Sequence, residues 1–506
     1  MRPLCSALLA AVLFASGAAA ALSPAELGAL FDGSRAAAPG RDSAAVSAPA
    51  SGDLDSWLAL ERRIALLKMK ANISPAGAAP GAVAASPSRK DPDYFFHWRR
   101  DAALTMQEIV VLYEQSSDPD EKASYFKMLT DYAGFVKKTQ HASSLTGLGE
   151  PKFNMDGTPF NGAWGRPQDD APAEEASTLI EFASALLKEG HKDLARELYG
   201  SFADGIKGDL EYVSHHWRQT SFDVWEEVKA HHFDTETAQR QALLEGAWLA
   251  EQLGDDGAPQ WYRAQAKLIE GAMGGHWDAG KGYIVSARDQ DAGLGGKDSG
   301  LDAAVILAAI HRRPLDARLG SGAERGFFSV TDARVLATAQ ALTDRFRAQY
   351  AVNRRPGEPG VAIGRYPEDS YFGGNPWALL TAAFAQLDYM AAHDFLTRGE
   401  IPVEDADLAF FRALVPRDER LRAGLTVTRG EPLFDALIAG FNTQGDSFFA
   451  EVRAHANPDG SLSEQIDKDS GVMTSAKDLT WNYASVLSAL QARDALTSAL
   501  SARTSR

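Results

Sequence analysis

The chain has 506 residues, of which 45% are hydrophobic and 24% charged, with a formal net charge of −17. These proportions describe a water-soluble globular chain, long enough for one large closed architecture or two to three ordinary domains. The acidic balance argues against nucleic acid or an anionic membrane surface as a partner and suits a neutral ligand.

In chain order, residues 1–21 read as a secretory signal: Arg2 is the positive end, residues 8–14 the apolar core, and small residues follow over 16–21. A secreted or periplasmic protein is expected, and no later apolar run is long enough to span a bilayer. The single cysteine, Cys5, falls inside the signal, so the mature chain would carry no disulfide and no cysteine metal ligand. A short helix over 22–30 and a Gly/Ala/Ser/Pro-rich tract over 32–52 make residues 22–53 a flexible leader, too poor in apolar surface to order itself. One domain is expected over 54–506.

From residue 54, Trp57, Leu58, Leu60, Ile64, Leu67 and Met69 recur at helical spacing and predict a helix over 54–72. A Pro/Ala/Ser loop follows over 74–92, preceded by Asn72, Ile73 and Ser74, a glycosylation acceptor triplet. Helices are then predicted over 101–113, 119–138, 173–187, 191–217, 235–253, 259–273 and 301–310. Later ones cover 331–350, 375–396, 404–414, 433–453 and 477–500, and no β pattern of comparable strength is present. The chain reads as all-α. Its long loops, over 145–171, 217–233, 360–376 and 457–476, recur at intervals, which predicts helix pairs in a ring with a site on one rim.

Those loops hold aromatic and charged residues together, the mixture that sugar recognition requires: apolar ring faces meet aromatic side chains, and hydroxyls meet Arg, Asp and Glu. Before the second helix, Tyr94, Phe95, Phe96 and Trp98 precede Arg100 and Asp101; Asp101 reads equally as that helix's N-cap. Asn154, Asp156, Trp164, Gly165 and Arg166 follow on a Gly-rich loop. The stretch over 222–228 sets Glu226 and Glu227 beside Trp225 and Val228. Two readings of it stand: a desolvated pair in which one carboxyl keeps its proton near neutral pH, as a glycosidase acid must, or a helix start with two surface glutamates. Arg365, Tyr366, Glu368, Asp369, Tyr371 and Trp377 mark the third loop, and Glu464, Gln465, Asp467, Asp478 and Trp481 the fourth, with Glu464 of the right type for a second catalytic carboxylate.

Other chemistries lack their patterns. His231 and His232 miss the i, i+4 spacing of a helical zinc site. The acidic stretch over 467–471 is too short for a calcium loop. Neither a phosphate-cradling glycine motif nor a nucleophile elbow is present, so no metal or cofactor is expected.

With these residues in view, the chain resembles the glucoamylases of glycoside hydrolase family 15, from about residue 54 to 496. The resemblance is carried in order by Leu54-Asp55-Ser56-Trp57-Leu58, Asp93-Tyr94 through Trp98 to Arg100-Asp101, and Gly147-Leu148-Gly149-Glu150-Pro151-Lys152-Phe153-Asn154. It continues through Gly162-Ala163-Trp164-Gly165-Arg166-Pro167-Gln168, Asp223-Val224-Trp225-Glu226-Glu227-Val228 and Gly364-Arg365-Tyr366-Pro367-Glu368-Asp369. Gly374-Asn375-Pro376-Trp377, Ser463-Glu464-Gln465 and Asp478-Leu479-Thr480-Trp481 complete it.

The resemblance implies an (α/α)6 toroid of six inner and six outer helices, acting as a monomer. It implies an inverting exo-hydrolase releasing β-D-glucose from non-reducing ends of α-1,4-glucans such as starch, glycogen and malto-oligosaccharides. Glu226 would be the general acid and Glu464 the general base, roughly 6.5–9.5 Å apart with water between them. Glu227 would bind the adjoining glucose, Arg100 and Asp101 would form the pocket floor, Arg365 and the backbone near Trp225 would hold the terminal ring, and Tyr94 would stand near the developing positive charge. Trp98, Trp164, Tyr371, Trp377 and Trp481 would form its walls, with Arg166 and Gln465 completing the substrate-binding set. Phe96 replaces a tyrosine usual in fungal members, and Asp169, Glu174 and Glu175 make the segment after Trp164 more acidic, which bears on the outer subsites. No starch-binding module is expected after the last helix. The alternatives are a same-fold hydrolase of dextran or trehalose, or a non-catalytic relative such as the glucoamylase-like domain of phosphorylase kinase regulatory subunits.

Overall fold

The computed structural model describes residues 53–311, 327–357 and 359–504. The signal, the short helix over 22–30 and the leader up to residue 52 lie outside the described residues. Among the described residues there are fourteen α-helices. They are α1 (Leu54–Ala71), α2 (Arg99–Gln115), α3 (Pro119–Gln140), α4 (Ala171–Lys188), α5 (Lys192–Tyr199), α6 (Gly205–His216) and α7 (Phe233–Leu253). The others are α8 (Ala258–Met273), α9 (Ala304–His311), α10 (Ala333–Gln349), α11 (Ala378–Arg398), α12 (Leu408–Leu414), α13 (Pro432–His455) and α14 (Thr480–Thr504). The helix expected over 191–217 is thus two. Gly200 and Gly205, with φ of 69° and 68°, turn the chain between α5 and α6 in a conformation that favours glycine.

Packing arranges these helices in two rings. α2 packs on α4, α4 on α7, α7 on α9, α9 on α11 and α11 on α14, which returns to α2. Each inner helix carries an outer partner: α3 on α2, α6 on α4, α8 on α7, α10 on α9, α13 on α11 and α1 on α14. This is the (α/α)6 toroid. Burial follows from the layers: α9 is enclosed from Ala304 to Ile310, whereas α1 buries only the stripe Leu58, Glu61, Ala65 and Met69.

An ion triad ties the rings together. Arg99, in the first turn of α2, pairs with Glu175 of α4 and, at 3.3 Å, with Asp209 of α6, all three buried. Removing the guanidinium would strand two carboxylates in the interior, a change that costs about 3–5 kcal/mol. Glu175, expected in an acidic outer rim, is therefore a structural anchor. Asp169 is likewise buried and accepts from the Tyr212 hydroxyl at 2.9 Å, and Glu174 lines a chamber with Arg100 and Asp170. None of the three faces the outer subsites as the sequence suggested.

Short antiparallel strands, absent from the periodicity reading, stiffen the rim loops. His97–Trp98 pairs with Lys152–Phe153, Ser221–Phe222 with Val228–His232, the latter with Ala287–Gly293, and Gln465–Ile466 with Met473–Thr474. Most span two residues, too few for alternation to show. The Asn72 amide is buried and used internally, donating to the Asp478 carbonyl at 3.1 Å and to Thr480 Oγ1 at 2.8 Å, so the triplet does not offer a glycosylation acceptor.

Candidate active site

The stretch over 222–228 is a hairpin turn rather than a helix start, and Asp223 folds it. Its Oδ1 accepts from the backbone N–H of Glu227 at 2.7 Å and of Val228 at 3.0 Å, while its carbonyl accepts from the Glu226 N–H at 2.8 Å. Glu226 is held with φ of 68°, uncommon for a residue with a side chain. Gly165 packs on this turn; a Cβ there would stand 2.5 Å from the Glu226 carbonyl oxygen, which explains a glycine at that position. Trp98 Nε1 and Gln168 Nε2 both donate to Glu226 Oε1, at 2.8 and 3.0 Å.

Glu227 points into a different set of partners. Arg365 Nη2 donates to Oε1 at 2.9 Å, the Tyr366 hydroxyl to Oε2 at 2.6 Å, and Lys297 Nζ lies 3.2 Å from Oε2. Asp369 grips Arg365 with both oxygens, at 2.8 and 2.6 Å, which fixes the plane of its guanidinium. Trp225 Nε1 donates to Asp302 at 2.8 Å.

Asp101 is not an N-cap: Trp98 occupies that place and Asp101 lies in the first turn of α2. Arg100 donates to Gln168 Oε1 at 3.0 Å and Asp170 Oδ2 at 2.8 Å, and lies 3.7 Å from Asp101. Burial pushes the Asp101 carboxyl up to about 6, the Arg100 guanidinium opposing and the Glu226 carboxylate adding to the rise.

Glu464 is buried. Its Oε2 accepts from Ser475 Oγ at 2.5 Å and Gln465 Nε2 at 3.0 Å; Ser475 itself has φ of 65°. Burial raises the Glu464 carboxyl above the usual range, and Ser475, Tyr94, Arg365 and Gln465 oppose that rise by favouring the ionised form. A residue that must be ionised to accept a proton sets the acid side of a pH profile. Ser475→Ala should therefore move the acid limb of kcat/KM to higher pH, because the carboxylate loses a donor and binds its proton more tightly; an unmoved limb would separate Ser475 from the titrating group.

All these loops meet at one cavity of about 280 Å³. Tyr94, Trp98, Trp164, Trp225, Tyr371, Trp377 and Trp481 supply its apolar surface, and Arg100, Asp101, Glu226, Glu227, Arg365 and Glu464 its charge. The Tyr94 and Tyr371 hydroxyls share a hydrogen bond of 2.6 Å. Two residues of the expected set stand behind the lining. Arg166 spends its guanidinium on Glu150 at 3.0 Å and on the carbonyls of Gly162 and Phe160, shaping the loop that carries Trp164. Gln465 joins Asn375 to Glu464. Sequence reasoning did not single out Gln168, Lys297, Asp302 or Ser475. Gln168 lay within a quoted motif; the others are ordinary polar residues until the fold brings them in. Among the described residues no cluster of His, Asp and Glu could hold a metal ion.

The family model for glycosyl hydrolases family 15 matches residues 62–491. Glucoamylase 1 of Rhizopus oryzae is 37% identical over 462 residues, covering 90% of this chain and 74% of that one. Among solved structures, the family 15 glucoamylase of Hypocrea jecorina superposes with a TM-score of 0.80 at 34% identity, over 88% of this chain and 73% of the other. The glucoamylase of Saccharomycopsis fibuligera superposes with a TM-score of 0.79 at 28% identity, over 90% and 99%.

Proposed function

Because the chain belongs to glycosyl hydrolase family 15 and is a glycoside hydrolase of the glucan 1,4-α-glucosidase type, we propose that it is an inverting exo-glucosidase. On this reading Glu226 is the general acid, Glu464 is the general base, and β-D-glucose leaves from non-reducing ends of α-1,4-glucans. The observation that carries it is that carboxyls from two distant parts of the chain line one cavity, each held by its own donors.

Both donors to Glu226 take Oε1, so the proton of the neutral acid sits on Oε2. In the reaction that proton passes to the glycosidic oxygen as the C1–O bond breaks and the bonding pair stays on the oxygen. A water attacks C1 from the opposite face and gives its proton to Glu464, which inverts the anomeric centre. Arg100 and Asp101 form the floor that admits one terminal glucose. Glu227, pinned by Arg365, Tyr366 and Lys297, faces the next unit, and the indoles and Tyr94 pack against the sugar faces. The enzyme would work outside the cytoplasm, a reading that rests on the signal over 1–21; among the described residues no helix is long and apolar enough to cross a membrane.

The test is proton NMR of the mature enzyme with maltoheptaose in the first minutes, before mutarotation. β-Glucose appearing first, with stepwise shortening, is expected. α-Glucose first would remove Glu464 as base, and hydrolysis of dextran or trehalose without action on maltoheptaose would move the substrate assignment.

A further inference from the structure

Lys152 lies across the short strand pair from Trp98. Its ammonium stands 4.2 Å from the ring centres of Phe96, Trp98 and Phe160 and 3.6 Å from that of Trp164. The residue is buried, and among the described residues no carboxylate or hydrogen-bond acceptor pairs with this ammonium. A buried lysine ordinarily finds an anion. Here the negative faces of four rings take that place. The rings also hold one another, Phe96 on Phe160 at 5.3 Å, Phe160 on Trp164 at 5.6 Å and Trp98 on Trp164 at 5.8 Å. Two of them, Trp98 and Trp164, line the cavity, and Trp98 donates to Glu226.

We propose that Lys152 is a positioning residue for the acid: its caged ammonium fixes the Trp98 and Trp164 walls and stabilises the carboxylate that Glu226 becomes when its proton leaves. The inference rests on the reading of Glu226 as general acid. Lys152 exchanges no proton. Glu226 gives its proton to the glycosidic oxygen as the C1–O bond breaks, and the negative charge that remains on Glu226 meets the ammonium through the Trp98 indole.

The other charges in reach are few. Asp93 and Arg166 act on Lys152, and Arg100 and Asp101 on Glu226. Burial lowers the Lys152 ammonium to about 8, with Glu226 and Asp93 opposing, so it is charged through the acidic range. Taking the cation away removes an attraction from the charge that forms on Glu226 as its proton leaves.

The experiment compares Lys152→Met and Lys152→Arg on maltose and on α-D-glucosyl fluoride, whose fluoride leaves with little help from an acid. Lys152→Met is expected to lower kcat on maltose about tenfold and to leave glucosyl fluoride within about twofold. Lys152→Arg, which keeps charge and cage, should restore most of the maltose rate. Equal losses on both substrates would mean a collapsed pocket and overturn the proposal, as would an unchanged maltose rate. If Lys152→Met does not fold, Phe160→Leu opens the cage away from the cavity and should give the same split between substrates; no split overturns the proposal. Glu226→Gln run alongside keeps the two readings apart, since near-normal maltose turnover there would remove Glu226 itself.

Discussion

Glu226→Gln should hydrolyse maltose about 10²–10⁴-fold more slowly than the wild type while binding it as well. The amide is neutral, as the protonated acid is. Its carbonyl oxygen can accept from Trp98 Nε1 and Gln168 Nε2 in place of Oε1. Its NH2 then lies where the acid's Oε2–H lay, so the turn held by Asp223 and Gly165 has no reason to move. What is lost is the proton that can leave, and it is lost only in the transition state, so kcat falls and KM does not rise. α-D-Glucosyl fluoride should be much less affected. Steady-state kinetics on both substrates check this; equal losses on the two would place the fault in binding or folding.

Glu464→Gln should lose a similar factor of about 10²–10⁴, but on both substrates, because the attacking water needs its base whatever the leaving group. Ser475 and Gln465 both donate to Oε2, so the carbonyl of the new amide would keep these two bonds. Its NH2 then points a donor at a water that requires an acceptor. The residual activity should also lose the acid limb of its pH profile, since an amide does not titrate. A variant that spares glucosyl fluoride would exchange the roles of the two glutamates.

Much of this fold was legible in the sequence. Periodicity placed the helices closely, because outer helices such as α1 carry an apolar stripe and the inner ones stand between long, turn-rich loops. It missed the break at Gly200 and Gly205, where the apolar spacing of α5 and α6 runs on in phase while two left-handed glycines turn the chain. The spacing of the long loops suggested a ring of helix pairs, but which helix lies inside cannot be read from periodicity, since α9 is apolar on every side and names no neighbour; the six-and-six arrangement came from the resemblance. The two catalytic candidates were visible as residue types in unusual company. Their supports were not. Ser475 reaches Glu464 across a two-residue strand pair, and Lys297 reaches Glu227 from a glycine-rich loop with no local pattern. The acidic residues after Trp164 misled for the opposite reason: Asp169 and Glu175 look like surface charge until Tyr212 and Arg99 are seen to enclose them.

The seam of the toroid lies where α14 settles against α1 and α2. Glu226 is made early and Glu464 late, just ahead of the helix that closes that seam. The two glutamates that line the cavity therefore come from opposite sides of that seam in chain order. The cavity is thus closed by two distant stretches of one chain: without α14 against α1 and α2 it lacks Trp481 from its wall, so the pocket exists only in the closed ring.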